Sequence, residues 1–252
     1  MTQIQQPNGH SGPIVSSRIG YVPRPTKPPP TLSGAMIMHF ADKKERDGTL
    51  EAMASAIDAA AAAAAKAGAI RDALHADITL PAEAKQRAIR DQARKAAAAG
   101  VAAIDRAHGQ CLGEIDRIAG VIFAPPPVRD SRELFQEQSI LQALRSMKAT
   151  DRMKAINAAL TENDDTVLSA VLNSNRLLSG LTAAEINMIR ERFARERYPD
   201  AAVRLQRLQK AREALTRGSK VLEGFVEGLY DAALANAADA SVARTAKAIA
   251  AE

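Results

Sequence analysis

Ile57–Ile70 reads IDAAAAAAAKAGAI, with seven consecutive alanines from Ala59 to Ala65. Alanine is the strongest helix former and carries almost no side chain. A helix of this kind is too thin to fill a core alone and too apolar to be an ordinary solvated face. What it can do is let a second helix approach closely, at or below the ~8 Å lower end of usual interaxial distances.

The residues on either side place the run in a long helix. Leu50, Met53, Ile57, Ala60, Ala64, Ala67, Arg71, Leu74 and Ile78 recur at alternating intervals of three and four, the spacing of a helical seam. Residues 36–77 are therefore expected to be one long helix, with a break at Asp47-Gly48 as the variant. HADITLPAEA then makes a turn, with Thr79 as the expected N-cap. A second helix follows over residues 80–122. Its stripe is Ile89, Ala93, Ala96, Gly100, Ile104, Ala107, Cys111, Ile115, Ile118 and Ile122. Folding the two back at residues 78–79 sets residue k opposite 157 − k. The alanine run then faces QARKAAA (92–98), and Met36–Phe40 faces Ile118–Phe123. Small residues meet small ones and large meet large. The packing residues this register nominates are Ala60, Ala64, Ala93, Ala96 and Ala97. A seam of alanine buries little area per residue, so the hairpin must pack against the rest of the chain, a copy of itself or a partner.

The whole chain of 252 residues has 3% aromatics, no Trp and one cysteine. No alternating strand pattern occurs from residue 36 onward. The expected fold is all-α: a long antiparallel Ala-packed hairpin (36–122), a Pro hinge (123–130, FAPPPVRD), a helical C-terminal part (131–237) and a frayed tail (238–252). Ahead of these, residues 1–35 hold seven of the twelve prolines and no acid, and form an extended arm. Within the arm, Ile14, Val15, Ile19, Tyr21 and Val22 are strand-like and could dock on a partner.

In the C-terminal part, Asp130/Glu133 and Thr182/Glu185 have capping-box spacing. Asn163 is the expected N-cap of a short helix over 164–173, Gly180 a stop, and Pro199 a restart or kink. The last long helix reaches about Ala237. Its stripe is Leu208, Ala211, Leu215, Gly218, Leu222, Phe225 and Leu229. GFVEG (224–228) has the spacing of a close helix crossing.

Few residues have the types and spacing that chemistry requires. Asp72/His75 and Asp105/His108 have the spacing of di-iron bundles, but the hairpin separates them by about 30 Å at the helical rise. Cys111 lies one turn from His108 with no base or oxyanion site identifiable. Asp164/Asp165 sit at a helix start, where acids suit the dipole. No catalytic, metal or cofactor site is expected.

The net charge is +5, and residues 190–220 carry ten cations against four carboxylates. Arg190, Arg197, Arg204, Arg207, Lys210 and Arg217 form the expected acidic-partner or nucleic-acid face. Arg190, Arg197 and Arg204 are collinear if the helix continues through Pro199.

Ala159–Asp200, with its VLSAVL…LLSGLT…E rhythm of short capped helices, resembles segments of small helical proteins encoded in tailed-phage and prophage structural modules. The resemblance implies a virion or assembly protein and transfers no functional residue. The expected function is thus a non-enzymatic structural or assembly protein that forms a homo-oligomer or docks on a larger complex. Its location would be soluble, in a virion or the bacterial host cytoplasm, with no membrane. A nucleic-acid-binding protein is the alternative, and a secreted hairpin protein of the type III translocator style a further one.

Overall fold

The computed structural model describes residues 26–43, 45–126, 131–174 and 176–250. The arm residues Ile14, Val15, Ile19, Tyr21 and Val22 and the Asp130/Glu133 pair lie outside the described side chains. The elements are α1 (Ala35–Met38), α2 (Gly48–Ala76), α3 (Ala82–Ile122), α4 (Ser131–Ser146), α5 (Ala149–Glu162), α6 (Asp165–Asn173), α7 (Arg176–Ser179), α8 (Ala183–Arg197), α9 (Pro199–Gly228) and α10 (Ala232–Ile249). The protein is all-α, with no strand among the described residues.

α2 and α3 form the long antiparallel hairpin. At 1.5 Å per residue they extend about 43 and 61 Å. Every residue of the α3 stripe is buried except Ala96, which is half-buried while Ala97 takes the seam. The close approach is real. A Cβ on Gly100 would lie 2.9 Å from the Ala60 Cα and 3.0 Å from the Ala63 Cβ. This pairing sums to 160 rather than the expected 157, so the register differs by three residues, nearly one turn. The reason is the turn itself. Asp77 accepts the Thr79 N–H and Oγ1–H at 2.8 and 2.6 Å, and α3 starts one residue after Pro81. Thr79 is thus bound within the turn and does not cap α3.

The expected helix over 36–77 is broken. Asp47 caps α2 by accepting the Thr49 and Leu50 N–H groups, and α1 is a separate short turn of helix with Ile37 fully buried. Met36–Phe40 therefore does not continue the hairpin toward Ile118.

α9 supplies the cover that the alanine seam requires. It lies along both hairpin helices, and Leu205, Leu208, Leu215, Leu222 and Val226 share one core with α2 and α3. Its Leu residues give the burial that alanines cannot. At Gly218 the missing Cβ makes room for Ile57 and Leu32. The hairpin is thus the larger part of a three-helix bundle. α9 ends at Gly228, not near Ala237, because Asp231 caps a new helix by accepting from Ala233 and Leu234. The region expected to fray from 238 is helical to Ile249, anchored on α3 by Asp239 ion pairs to Arg87 and Arg90. Residues 241–250 are exposed.

α4 to α8 build a second core from Leu144, Ile156, Leu160, Leu168, Ile189 and Phe193. The C-terminal part expected over 131–237 therefore divides at Tyr198, where α8 stops and α9 joins the hairpin. The Thr182/Glu185 capping box forms in both directions, and Gly180 has φ +67. Asn163 does not cap α6. It ends α5 in the left-handed region, and Asp164 caps α6 instead. The Pro hinge is held at one end, since Ser169 Oγ and Asn173 Nδ2 both donate to the Pro126 carbonyl.

Candidate docking site in the groove between α2 and α9

Residues 26–34, TKPPPTLSG, end the Pro-rich arm and lie along α2 in the direction opposite to it. Thr26 abuts Gly68, and Gly34 abuts Ala54 and Asp58. Prolines 28–30 exclude helix and favour an extended chain. Leu32, 3% exposed, enters the shared core and closes a turn through its N–H to the Pro29 carbonyl at 2.9 Å. The Gly34 N–H donates to Asp58 Oδ1 at 2.8 Å. The seat depends on missing side chains. A Cβ on Gly68 would overlap the Thr26 carbonyl oxygen, and one on Gly34 would lie 2.6 Å from the Ala54 carbonyl oxygen. This explains why α2 buries two faces. Beside the hairpin stripe, Ala54 and Gly68 are buried beneath this segment. The sequence stripe found only the first face, since a run of alanines carries no period. The glycine at 68, at the end of the run, was the available signal for the second.

The basic region reads differently in the structure. α8 ends at Arg197 and Tyr198 leaves helical geometry (φ −132, ψ 58), so Arg190, Arg197 and Arg204 do not share one helix. Arg197 pairs with Asp165 at 3.1 Å and donates to Asn163. Arg204 bridges Asp47 at 2.7 Å and Glu114 at 2.5 Å, tying α9 to the start of α2 and to α3. Arg207 pairs with Asp42 at 3.0 Å. Arg204 and Arg207 hold the bundle together and line, with Glu45 and Arg46, a charged cleft of about 580 Å³. Lys210 and Arg217 are exposed and Arg190 half-buried, on two different helices.

The clasp shifts its carboxylates. Bonds from Arg117 pull the Glu114 carboxyl down, burial opposes them, and Arg204 adds to the fall, leaving it at about 2. Burial pushes the Asp47 carboxyl up, but Arg204 and the capped N–H groups outweigh it and leave it below its ordinary value. A lowered folded pKa stabilises above the unfolded value and is lost as pH falls through the folded one. Unfolding free energy is therefore expected to hold above pH 4.5 and to decline as pH drops toward about 2. Denaturant melts across that range check this, with a shallower decline in Arg204→Ala.

Asp72, His75 and Asp105 are exposed and His108 half-buried, and no group of three metal-ligating side chains occurs among the described residues. Cys111 is buried, its Sγ directed at the Leu208 carbonyl oxygen at 3.7 Å, and burial pushes its thiol up, away from the thiolate a nucleophile needs. Gly224 faces open space, so GFVEG makes no close crossing there. α2 is long and apolar enough to span a membrane by length and composition, yet half of that window is buried inside the bundle.

Comparison of the chain with protein-family models, with curated proteins and with solved structures gave no match.

Proposed function

We propose that the chain is a structural, non-enzymatic assembly protein that works by docking through its N-terminal arm and helices. The resemblance of Ala159–Asp200 to phage structural modules supports placing it in a tailed-phage particle or its assembly. The single observation that carries the reading is the seating of residues 26–34 on the bundle. Backbone-to-backbone fit at Gly68 and Gly34, with Leu32 buried between, gives the acid-free arm a fixed anchor on a rigid helical body. An N-terminal segment anchored on a helical bundle in this way is suited to groove-lying recognition.

Nucleic-acid binding has less support. The arginines nominated for it at 197, 204 and 207 are engaged by carboxylates of the same chain.

Size-exclusion chromatography with light scattering tests the proposal. The expected result is a protein-only peak at a defined multiple of 26.8 kDa. With no Trp and three Tyr, any bound nucleic acid would dominate the 260/280 nm ratio. A nucleic-acid-laden peak stripped by salt contradicts it, and a monomer at every concentration moves the docking partner from a second copy to another protein.

A further inference from the structure

We infer that α4–α8 swings as one body against the α2–α3–α9 bundle, about an axis set by two single-residue pivots, Phe123 and Tyr198.

The chain passes between the two cores twice. At the first crossing α3 ends at Ile122, and Phe123 takes φ −98, ψ 0, the sparsely allowed region between helix and strand. Beyond it, Pro125 and Pro126 fix their own φ and hold the residue before each extended. The Pro126 carbonyl is bound to α6 by Ser169 and Asn173. The stiff Pro-Pro piece therefore belongs to the second body, and the turn falls at Phe123. The second crossing is Tyr198 alone, at φ −132, ψ 58. Pro199 disfavours the α conformation at that residue and brings no N–H to continue the α8 ladder. α8 and α9 are thus two rods joined at one residue. Two pivots define a line, so the motion they permit is a hinge swing.

Little holds the bodies face to face. The ion pairs of α8, Arg192–Glu196, Arg195–Glu191 and Arg197–Asp165, all stay within α4–α8. Ile186, Ile189 and Phe193 of α8 enter the second core, and Ala194 enters the bundle core. One methyl group buries little area. Beside Ala194 the bodies stand apart across a cleft of about 370 Å³, with Ile122, Phe123 and Leu205 on the bundle side and Glu191 and Arg195 on α8. A contact this small leaves relative motion as the default. The swing opens and closes this cleft.

Spin-label distance distributions on the full-length chain test the inference. Labelled chains are diluted with unlabelled ones, so that only distances within one copy are read. Cys111 is buried and stays unlabelled. Three cysteine pairs at exposed positions are compared. Lys95→Cys with Lys210→Cys lies inside the bundle, and Gln138→Cys with Lys154→Cys inside the second body. Lys154→Cys with Lys210→Cys spans the two. The expected cross-body distribution is at least about twice as wide as either internal one. It should widen further in Tyr198→Gly, which frees the second pivot, while both internal pairs keep their widths. A cross-body distribution as narrow as the internal ones overturns the inference, since the bodies are then one rigid unit. A wide one that Tyr198→Gly leaves unchanged overturns it as well, because the turning then lies away from Tyr198. Neither result depends on whether the chain assembles with copies of itself.

Discussion

Replacing Gly100 by leucine is expected to lower unfolding free energy by about 3 kcal/mol or more, the upper range for overpacking a tight interior. The Cβ alone would meet the Ala60 Cα at 2.9 Å and the Ala63 Cβ at 3.0 Å. Backbone cannot rotate away as a side-chain tip can, so the added atoms must separate α2 from α3. Separation there also disturbs α9, which shares their core. Ala60→Leu, at a residue with no exposure, should have a similar effect from the other side. The control lies on the same helix. Gly109 and Gly113 face open space, so Gly109→Ala and Gly113→Ala should each raise stability by up to about 1 kcal/mol through helix propensity alone. Thermal and urea melts of this set read the sign. A uniform response at all three glycines would mean that no close seam exists.

Arg204→Glu is the second large effect. The variant would set a third carboxylate against Asp47 and Glu114, which are 12% and 19% exposed. Breaking a fully buried charge pair costs about 3–5 kcal/mol, and Arg204, 36% exposed, warrants a discount for solvent. The expected loss is about 2–4 kcal/mol, or roughly 5–15 °C in melting temperature for a chain of this size. Arg204→Lys should recover only part of it, since one ammonium cannot reproduce the planar fork that spans two acceptors. The result bears on function. A charge reversal at 204 or 207 that abolished an interaction would act by loosening the bundle. Lys210→Glu with Arg217→Glu, at exposed positions, is the cleaner probe of a basic face.

The hairpin was legible because the α3 stripe from Ile89 to Ile122 mixes Ile, Ala and Gly at distinct intervals. Ten positions in one phase leave a single buried face. The same clarity fails on α2. From Ala59 to Ala65 every phase is alanine, so neither the second buried face nor the register could be read, and the register differed by three residues. The partner of the second face was hidden for another reason. α9 and residues 26–34 come from opposite ends of the chain, and their contact with α2 has no local signature beyond Gly68 and Gly218. Asp231 was a readable cap that the helix expected to reach about Ala237 overran. Asp164 lost to its neighbour Asn163 as the expected cap, since both residue types suit either place. Asparagine's tolerance of positive φ decided it, with Asn163 at φ 55. The basic stretch misled because composition counts charges and does not see their partners.

Native-state hydrogen exchange tests whether α2, α3 and α9 are one cooperative bundle with residues 26–34 seated on it. Amides in the middle of all three helices are expected to open with the same free energy. The Gly34 N–H, bound to Asp58, is expected to be protected, and residues 241–249 to exchange fast. If α9 exchanges far faster than α2 and α3, the hairpin stands without it. Arg204 and Arg207 are then no clasp, and the basic helix returns as a free surface for an acidic partner.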